Sequence, residues 1–371
     1  AEKHGLPVLD TPAARRFAGG RRLRFIERPG VMPGTPRILT NSENALADVA
    51  EAYPDARLAA TVDRFKDKLA FRRATASLHP DIDFRVITLV QLPGADPAGF
   101  DYPCVIKPAV GFFSMSVHPL FGPDAWEAAV TDIEVEVAAA RGLYPPSVVD
   151  ASRFIVEQML EGDEYAVDGY FDSRGQPVVL SIFRHLFASD HDVSDRVYVT
   201  SKEIIEDQLL DFTTYLTELG RVTACRDFPF HVELRRDGSG TLRPIEVNPL
   251  RFGGWCTTAD LTAQAFGMDP YLAWFRDLVP DWPAVLEGHE GETYAIVVLD
   301  DSTGIDPAEI RSFDLDAVAS RFGHVIEVRP IDRREYPVFG FLFVRVPSAD
   351  LSELEAILSS DLSEYVATEA R

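Results

Sequence analysis

The chain has 371 residues, 46% hydrophobic and 26% charged, ordinary globular proportions that allow a sizeable core and two or three packed subdomains. Its 59 acidic against 36 basic residues give a net charge of -23, which repels phosphate backbones and argues against general nucleic-acid binding. Cys104, Cys225 and Cys256 are odd in number with no CxxC pair, no run approaches the ~20 apolar residues of a membrane span, and the opening Ala1 to Gly5 lacks a signal-peptide core. The expectation is therefore a cytoplasmic protein without disulfides, zinc site or membrane partner.

In chain order, residues 1–70 read as a small α/β region, with short strands at Arg22 to Glu27 and Arg37 to Thr40 and a helix from Asn44 to Ala52. Thr61 to Ser77 has a basic helical pattern and leads through His79-Pro80 to a strand from Phe84 to Val90. Tyr102 to Lys107 is an apolar run ending in a lysine; Pro108, a loop containing Gly111 and a strand at Ser116 to His118 follow. Helical spacing from Asp124 to Arg141 closes at Gly142, and residues 71–152 are expected to form one lobe.

A second lobe spans 153–285. Arg153 to Glu157, Glu164 to Phe171 and Pro177 to Phe187 form a predicted antiparallel meander with turns at Glu161-Gly-Asp163 and Asp172 to Gln176. A long helix runs from Glu203 to Thr223, a hairpin joins Phe230 to Leu234 with Leu242 to Val247, and Thr258 to Phe266 is helical. Strands at Glu292 to Asp300, Val325 to Pro330 and Phe339 to Val346, with a helix between the first two, suggest a separate α/β cap over 286–371.

The hairpin carries the strongest chemical signal. A turn symmetric about Ser239 and Gly240 sets Glu233 opposite Glu246 and His231 opposite Asn248, all four on one face because alternate strand residues point the same way. Opposed carboxylates repel, so a positive group belongs between them. Two carboxylates and an amide oxygen suit Mg²⁺, a hard cation that shares itself with nucleotide phosphates, with Mn²⁺ as an alternative. The bland reading, a solvated sheet face, carries about equal weight until Glu246-Val-Asn-Pro249 runs into Arg251, Gly253 and Gly254.

Taken with Lys68, Lys107 and the run from Glu157 to Glu164, this order of residues resembles the ATP-grasp family over roughly 60–280. The resemblance implies an α/β (α+β) ATP-grasp fold, with a short N-terminal α/β region and a C-terminal α/β cap, binding ATP and Mg²⁺. By position, Lys68 and Lys107 match the lysines that contact ATP phosphates. Glu157, Gln158, Met159 and Leu160 match the hinge strand whose backbone meets adenine, and Glu164 the carboxylate that takes the ribose hydroxyls. Lys202 is a weaker phosphate candidate, a solvated helix start being its plainer reading. The loop Ala109 to Ser116 takes the place of a glycine-rich flap but holds one glycine and two phenylalanines, so Ser114 and Ser116 hydroxyls are candidates for part of its work.

Arg251 resembles the arginine that follows Asn-Pro in such ligases, displaced by the interposed Leu250, and with His231 it is a candidate catalytic residue. Arg184, His185, Arg251, Gly253 and Gly254 are candidates to line the substrate pocket, the glycines because amides ahead of a helix favour an anion. Cys256 reads as a packing residue, since no base accompanies it. The resemblance implies an ATP-dependent ligase joining a small-molecule carboxylate to an amine, closest to the L-amino-acid ligase branch. A kinase acting on a non-carboxylate acceptor and a nucleotide-binding regulatory protein stand as alternatives. The substrates' identities, and whether the protein is a homodimer, are not legible.

Overall fold

Two antiparallel sheets, whose central strands are buried on both faces, set the site between them; two two-stranded pairs, Pro7–Leu9 with Arg24–Ile26 and Ile310–Phe313 with Val366–Thr368, lie apart from them in the pairing. The computed structural model describes residues 1–27, 36–111, 116–140, 150–189, 195–333 and 336–368. The smaller sheet has four strands in the order Phe84–Thr88, Asp150–Gln158, Cys104–Val110, His118–Leu120. The helix Trp126–Ala140 covers it through Trp126, Val130 and Ile133, packed on Ile106, Leu120 and Phe154.

The larger sheet has eight strands: Leu242–Pro249, Phe228–Arg236, Asp163–Phe171, Pro177–Leu186, Val197–Ser201, Glu292–Asp300, Val338–Pro347 and Val325–Pro330. Period-two alternation gives it two distinct faces. One is covered by the helix Lys202–Thr223, N-capped by Ser201, whose Phe212 meets Tyr165 edge-on at 5.2 Å. The helix Thr257–Phe266 lies against the other, where Phe266 meets Tyr294 at 5.3 Å and Thr258 reaches Asp168.

Four expectations change. The strand expected at Arg153 to Glu157 is not part of the meander: Asp150–Gln158 lies in the smaller sheet, paired with Phe84–Thr88 on one side and Cys104–Val110 on the other. The C-terminal strands are not a detached cap: Thr293 to Val297 pair directly with Val197 to Ser201, so one sheet runs through both regions. The apolar side chains beyond that junction do form a second core, around Phe339, Leu342, Val344 and Leu354. The helix expected from Thr61 to Ser77 is two, Ala56–Lys66 and Lys68–Thr75, because Asp67 leaves helical geometry and its carboxylate accepts the Leu69 and Ala70 amides at 2.9 and 3.1 Å. Finally, Arg37 to Thr40 forms no strand; Thr40 makes a single bridge to Arg251, its amide 2.6 Å from the Leu250 carbonyl.

All three cysteines are buried thiols. Among the described residues no helix is long and apolar enough to cross a membrane.

Candidate active site

Hairpin pairing places Glu233 opposite Glu246 and His231 opposite Asn248. The route to that register differs from a symmetric turn. Arg236, Arg235 and Leu234 face Leu242, Arg243 and Pro244, which centres the turn on Ser239; Ile245 then bulges out and Glu246 becomes the partner of Glu233. Without that extra residue Ile245 would face Glu233.

The two carboxylates are unequally compensated. Lys68 Nζ lies 2.7 Å from Glu246 Oε2 and Asn248 Nδ2 donates to Glu246 Oε1 at 3.1 Å. Burial would raise the Glu246 pKa, but Lys68, Lys107 and Lys66 outweigh it and hold the group well below the carboxylate range. Glu233 has one ion-pair contact among the described residues, His231 Nε2 at 3.4 Å, with the charge of Arg251 farther off, and burial together with Glu246 pushes its pKa upward. The pair is short of positive charge on the Glu233 side, which a divalent cation would supply. Among the described residues no three His, Cys, Asp or Glu side chains form a metal cluster. A cation held by two carboxylates and an amide would take its remaining ligands from water and phosphate, which is the habit of Mg²⁺.

Beneath the pair, Asp168 is completely buried and accepts four donors: His231 Nδ1 at 2.7 Å, the Gly253 amide at 2.8 Å, Ser181 Oγ at 2.8 Å and Thr258 Oγ1 at 2.5 Å. Burial favours a neutral His231, but the bonds to Asp168 and Glu233 prevail and raise its pKa to about 9. Both ring nitrogens of His231 are thus taken up by carboxylates, a geometry that suits a positioning role in place of the expected catalytic one.

Across the cleft, Lys107 Nζ contacts Glu157 Oε1 at 2.6 Å. Arg72 grips the same carboxylate with Nε at 2.6 Å and Nη2 at 3.0 Å. Burial raises Glu157, but Arg72 and Lys107 overcome it and bring its pKa down to about 2. Close by and largely buried, Arg251 reaches Glu43 at 3.4 Å, and Lys66 contacts both Glu43 and, at 3.3 Å, the Gly111 carbonyl. Burial and the nearby Lys68 and Arg251 push the Lys66 ammonium down to about 7, with Glu246 acting the other way. The interposed Leu250 adopts left-handed geometry, φ +57°, and buries its own side chain, turning the strand end so that Arg251 still joins the cleft.

A hairpin of paired carboxylates thus faces a group of cations in a cleft between two sheets. Residues 100–259 match the model of the ATP-grasp domain. The chain carries an ATP-grasp domain.

Solved structures agree on the fold. The L-amino acid ligase of Bacillus licheniformis is 21% identical with a TM-score of 0.64, covering 97% of this chain and 84% of its own. The biotin carboxylase domain of Hydrogenobacter thermophilus 2-oxoglutarate carboxylase, solved with MgADP and bicarbonate, is 12% identical with a TM-score of 0.55, covering 92% and 81%. The N5-carboxyaminoimidazole ribonucleotide synthetase of Thermotoga maritima is 13% identical with a TM-score of 0.53, covering 83% and 73%. A comparison with curated protein sequences finds no match.

Within the ATP-grasp cleft the other expected residues divide. Glu164 accepts Arg235 at 2.9 Å and lies 3.4 Å from His185 Nδ1, which stacks on Tyr198 at 4.3 Å, forming a row on the same sheet face as Glu233. Burial opposes both charges, yet mutual contact lowers the Glu164 pKa and raises that of His185. Arg184 is the neighbour of His185 on the strand and so points to the opposite face, where it pairs with exposed Asp163 at 3.1 Å; it does not line the pocket. Lys202 is likewise a surface residue, 2.7 Å from Glu290 and 3.8 Å from Glu206, both solvent-exposed.

On the hinge strand, the Gln158 and Met159 amides are already donated to Asp83 and Pro103 at 3.1 and 3.0 Å, and Glu157 is paired on both sides. That leaves the Leu160 amide as the donor without a partner among the described residues. The Gly253 amide is spent on Asp168 and is no anion site, and a Cβ there would stand 2.5 Å from Thr258 Oγ1. A Cβ at Gly254 would meet nothing within 4 Å, so Gly254 lies on the open side. Ser116 is buried at φ +54°, and Ser114 lies outside the described residues. Sequence reasoning missed Glu43, Lys66, Arg72 and Asp168. The repeated lysine of Lys66-Asp67-Lys68 was the available hint for one of them.

Proposed function

We propose that the protein is an ATP-dependent carboxylate-amine ligase that works through an acyl phosphate and releases ADP and phosphate. The observation that carries this reading is the Glu233–Glu246 pair, deficient in positive charge, facing Lys68, Lys107 and Arg251. The L-amino acid ligase among the structural neighbours and the MgADP in another support the reaction class and the nucleotide. The organisation proposed is an N-terminal region to about residue 70, a small lobe through the strand Asp150–Gln158, and a large lobe whose sheet continues past 285 into the C-terminal α/β region.

Bound Mg²⁺ would be held by Glu233, Glu246 and Asn248 and would neutralise charge on the terminal phosphates. Lys68 and Lys107 are suited to the phosphate oxygens, where phosphoryl transfer spreads charge and catalysis is mostly positioning and electrostatics. Arg251 would orient the acceptor carboxylate. Its oxygen bonds to the γ-phosphorus as the bond to the ADP oxygen breaks; the amine then attacks the acyl carbon, loses a proton, and phosphate departs with the carbon–oxygen bonding pair. Adenine would meet the Leu160 amide, and Glu164 the ribose.

The route is tested by following oxygen. A carboxylate substrate labelled with ¹⁸O, drawn from a panel of amino acids, should deliver one label to inorganic phosphate in step with amide formation. Label in AMP, or ADP formed with unlabelled phosphate, would remove the mechanism. Phosphate transferred to an alcohol with none released would make the protein a kinase.

A further inference from the structure

Arg72 makes two kinds of contact that have no shared purpose unless the bulge beside it matters. It stands one helical turn after Lys68 in the helix Lys68–Thr75, so the two side chains leave the same face toward the hairpin. Lys68 holds the Glu246 carboxylate, whereas Arg72 Nη1 donates to the Pro244 carbonyl at 2.5 Å and Nη2 to the Ile245 carbonyl at 3.3 Å. Those carbonyls frame the point where pairing jumps from Leu234–Pro244 to Glu233–Glu246. The other edge of the guanidinium is bidentate on Glu157, the counter-ion of Lys107. Arg72 is 3% exposed and Glu157 3%, so the whole fork is spent inside the protein.

A one-residue slip in a strand sends each side chain to the other face. If the bulge flattened, Ile245 would face Glu233 and Glu246 would turn away from the cleft. The bulge leaves two carbonyls in need of donors, and a guanidinium supplies several in one rigid plane where an ammonium supplies a point charge. We propose that Arg72 is a positioning residue that pins the Pro244–Ile245 bulge, keeping Glu246 opposite Glu233 for a nucleotide-bound divalent cation, and ties that register to the Glu157–Lys107 pair. This rests on the ATP-grasp reading of the cleft.

The test measures Mn²⁺ binding by electron paramagnetic resonance on the full chain with saturating ADP, beside metal-free ADP affinity by calorimetry. Arg72→Lys keeps a cation near Glu157 but loses the fork. It should weaken Mn²⁺ binding at least tenfold and broaden the Mn²⁺ signal, while metal-free ADP affinity changes less than threefold. Arg72→Gln, which keeps one amide donor for the carbonyls, is read in the same way should the lysine variant fail to fold. Mn²⁺ binding within twofold of the parent in a folded variant, or equal losses of metal and metal-free ADP binding, overturns the role assigned to Arg72. Failure of the parent protein itself to bind Mn²⁺ with ADP overturns the metal-site reading and this proposal with it.

Discussion

Replacing Glu246 by glutamine separates the metal role from the structural one, because its two consequences differ in size. The substitution removes one partner of a contact at 2.7 Å, and breaking a buried pair costs about 3–5 kcal/mol when a charge is stranded. Here three terms offset that cost. The amide still accepts a hydrogen bond from Lys68, the Glu246 side chain is 18% exposed so that water can reach the site, and the repulsion that raises Glu233 disappears. The net loss should stay within about 2 kcal/mol, a fall in Tm of a few degrees for a chain of this size. Turnover has no such offset under the proposed metal site: an anionic ligand to the cation would be lost, and each ~1.4 kcal/mol in the transition state is tenfold in rate. ADP release at saturating ATP and Mg²⁺ should therefore drop at least about 100-fold in a variant whose thermal unfolding remains cooperative. A folded Glu246→Gln protein turning over within about tenfold of the parent would refute the metal assignment.

Lys107→Ala should weaken nucleotide binding and reduce kcat, since it strips a buried cation from the proposed phosphate side of the cleft and leaves Glu157 paired with Arg72; unchanged ADP affinity and turnover would place Lys107 outside the site. His79 gives a pH signature. Burial, with Arg72 and Arg243, lowers its pKa to about 4 from an unfolded value near 6.5, so its contribution is present above pH 6.5 and is lost as pH falls through 4. The depression corresponds to at most about 3 kcal/mol, nearer 2 with partial solvent access. The difference in urea-unfolding free energy between the parent and His79→Gln should shrink between pH 7 and 4.5, and a constant difference would contradict the assignment. Gly253→Ala should destabilise by about 1–3 kcal/mol, because the new methyl group would stand 2.5 Å from Thr258 Oγ1 and 2.9 Å from the His231 ring; an unchanged Tm would show that the turn can yield.

The facing of Glu233 and Glu246 could be read from the sequence because strand alternation is a local rule and the intervening turn is short. The path to it could not, since the bulge at Ile245 offsets a turn centred one half-residue earlier, and only the Arg72 contacts show why the bulge persists. Strand period also corrects an error: adjacent Arg184 and His185 could never both face the pocket. The residues that escaped are joined over long stretches of chain, Glu43 to Arg251, Arg72 to Glu157 and Asp168 to Gly253. Nothing local distinguishes a buried counter-ion from a solvated one, and Arg72 sits beside Arg73 in a helix whose basic residues read as a solvated face. Lys202 shows the reverse, a basic residue at a plausible position that the fold turns toward Glu290.

The continuous eight-stranded sheet bears on how the molecule could change. A chain ending at Val285 would strip the hydrogen-bonding partner from Val197 to Ser201 and expose an apolar edge, a template for association with other chains. The C-terminal segment is therefore a structural part of the large sheet and not a separable module. A cut near residue 285 should give aggregates in place of a smaller folded protein.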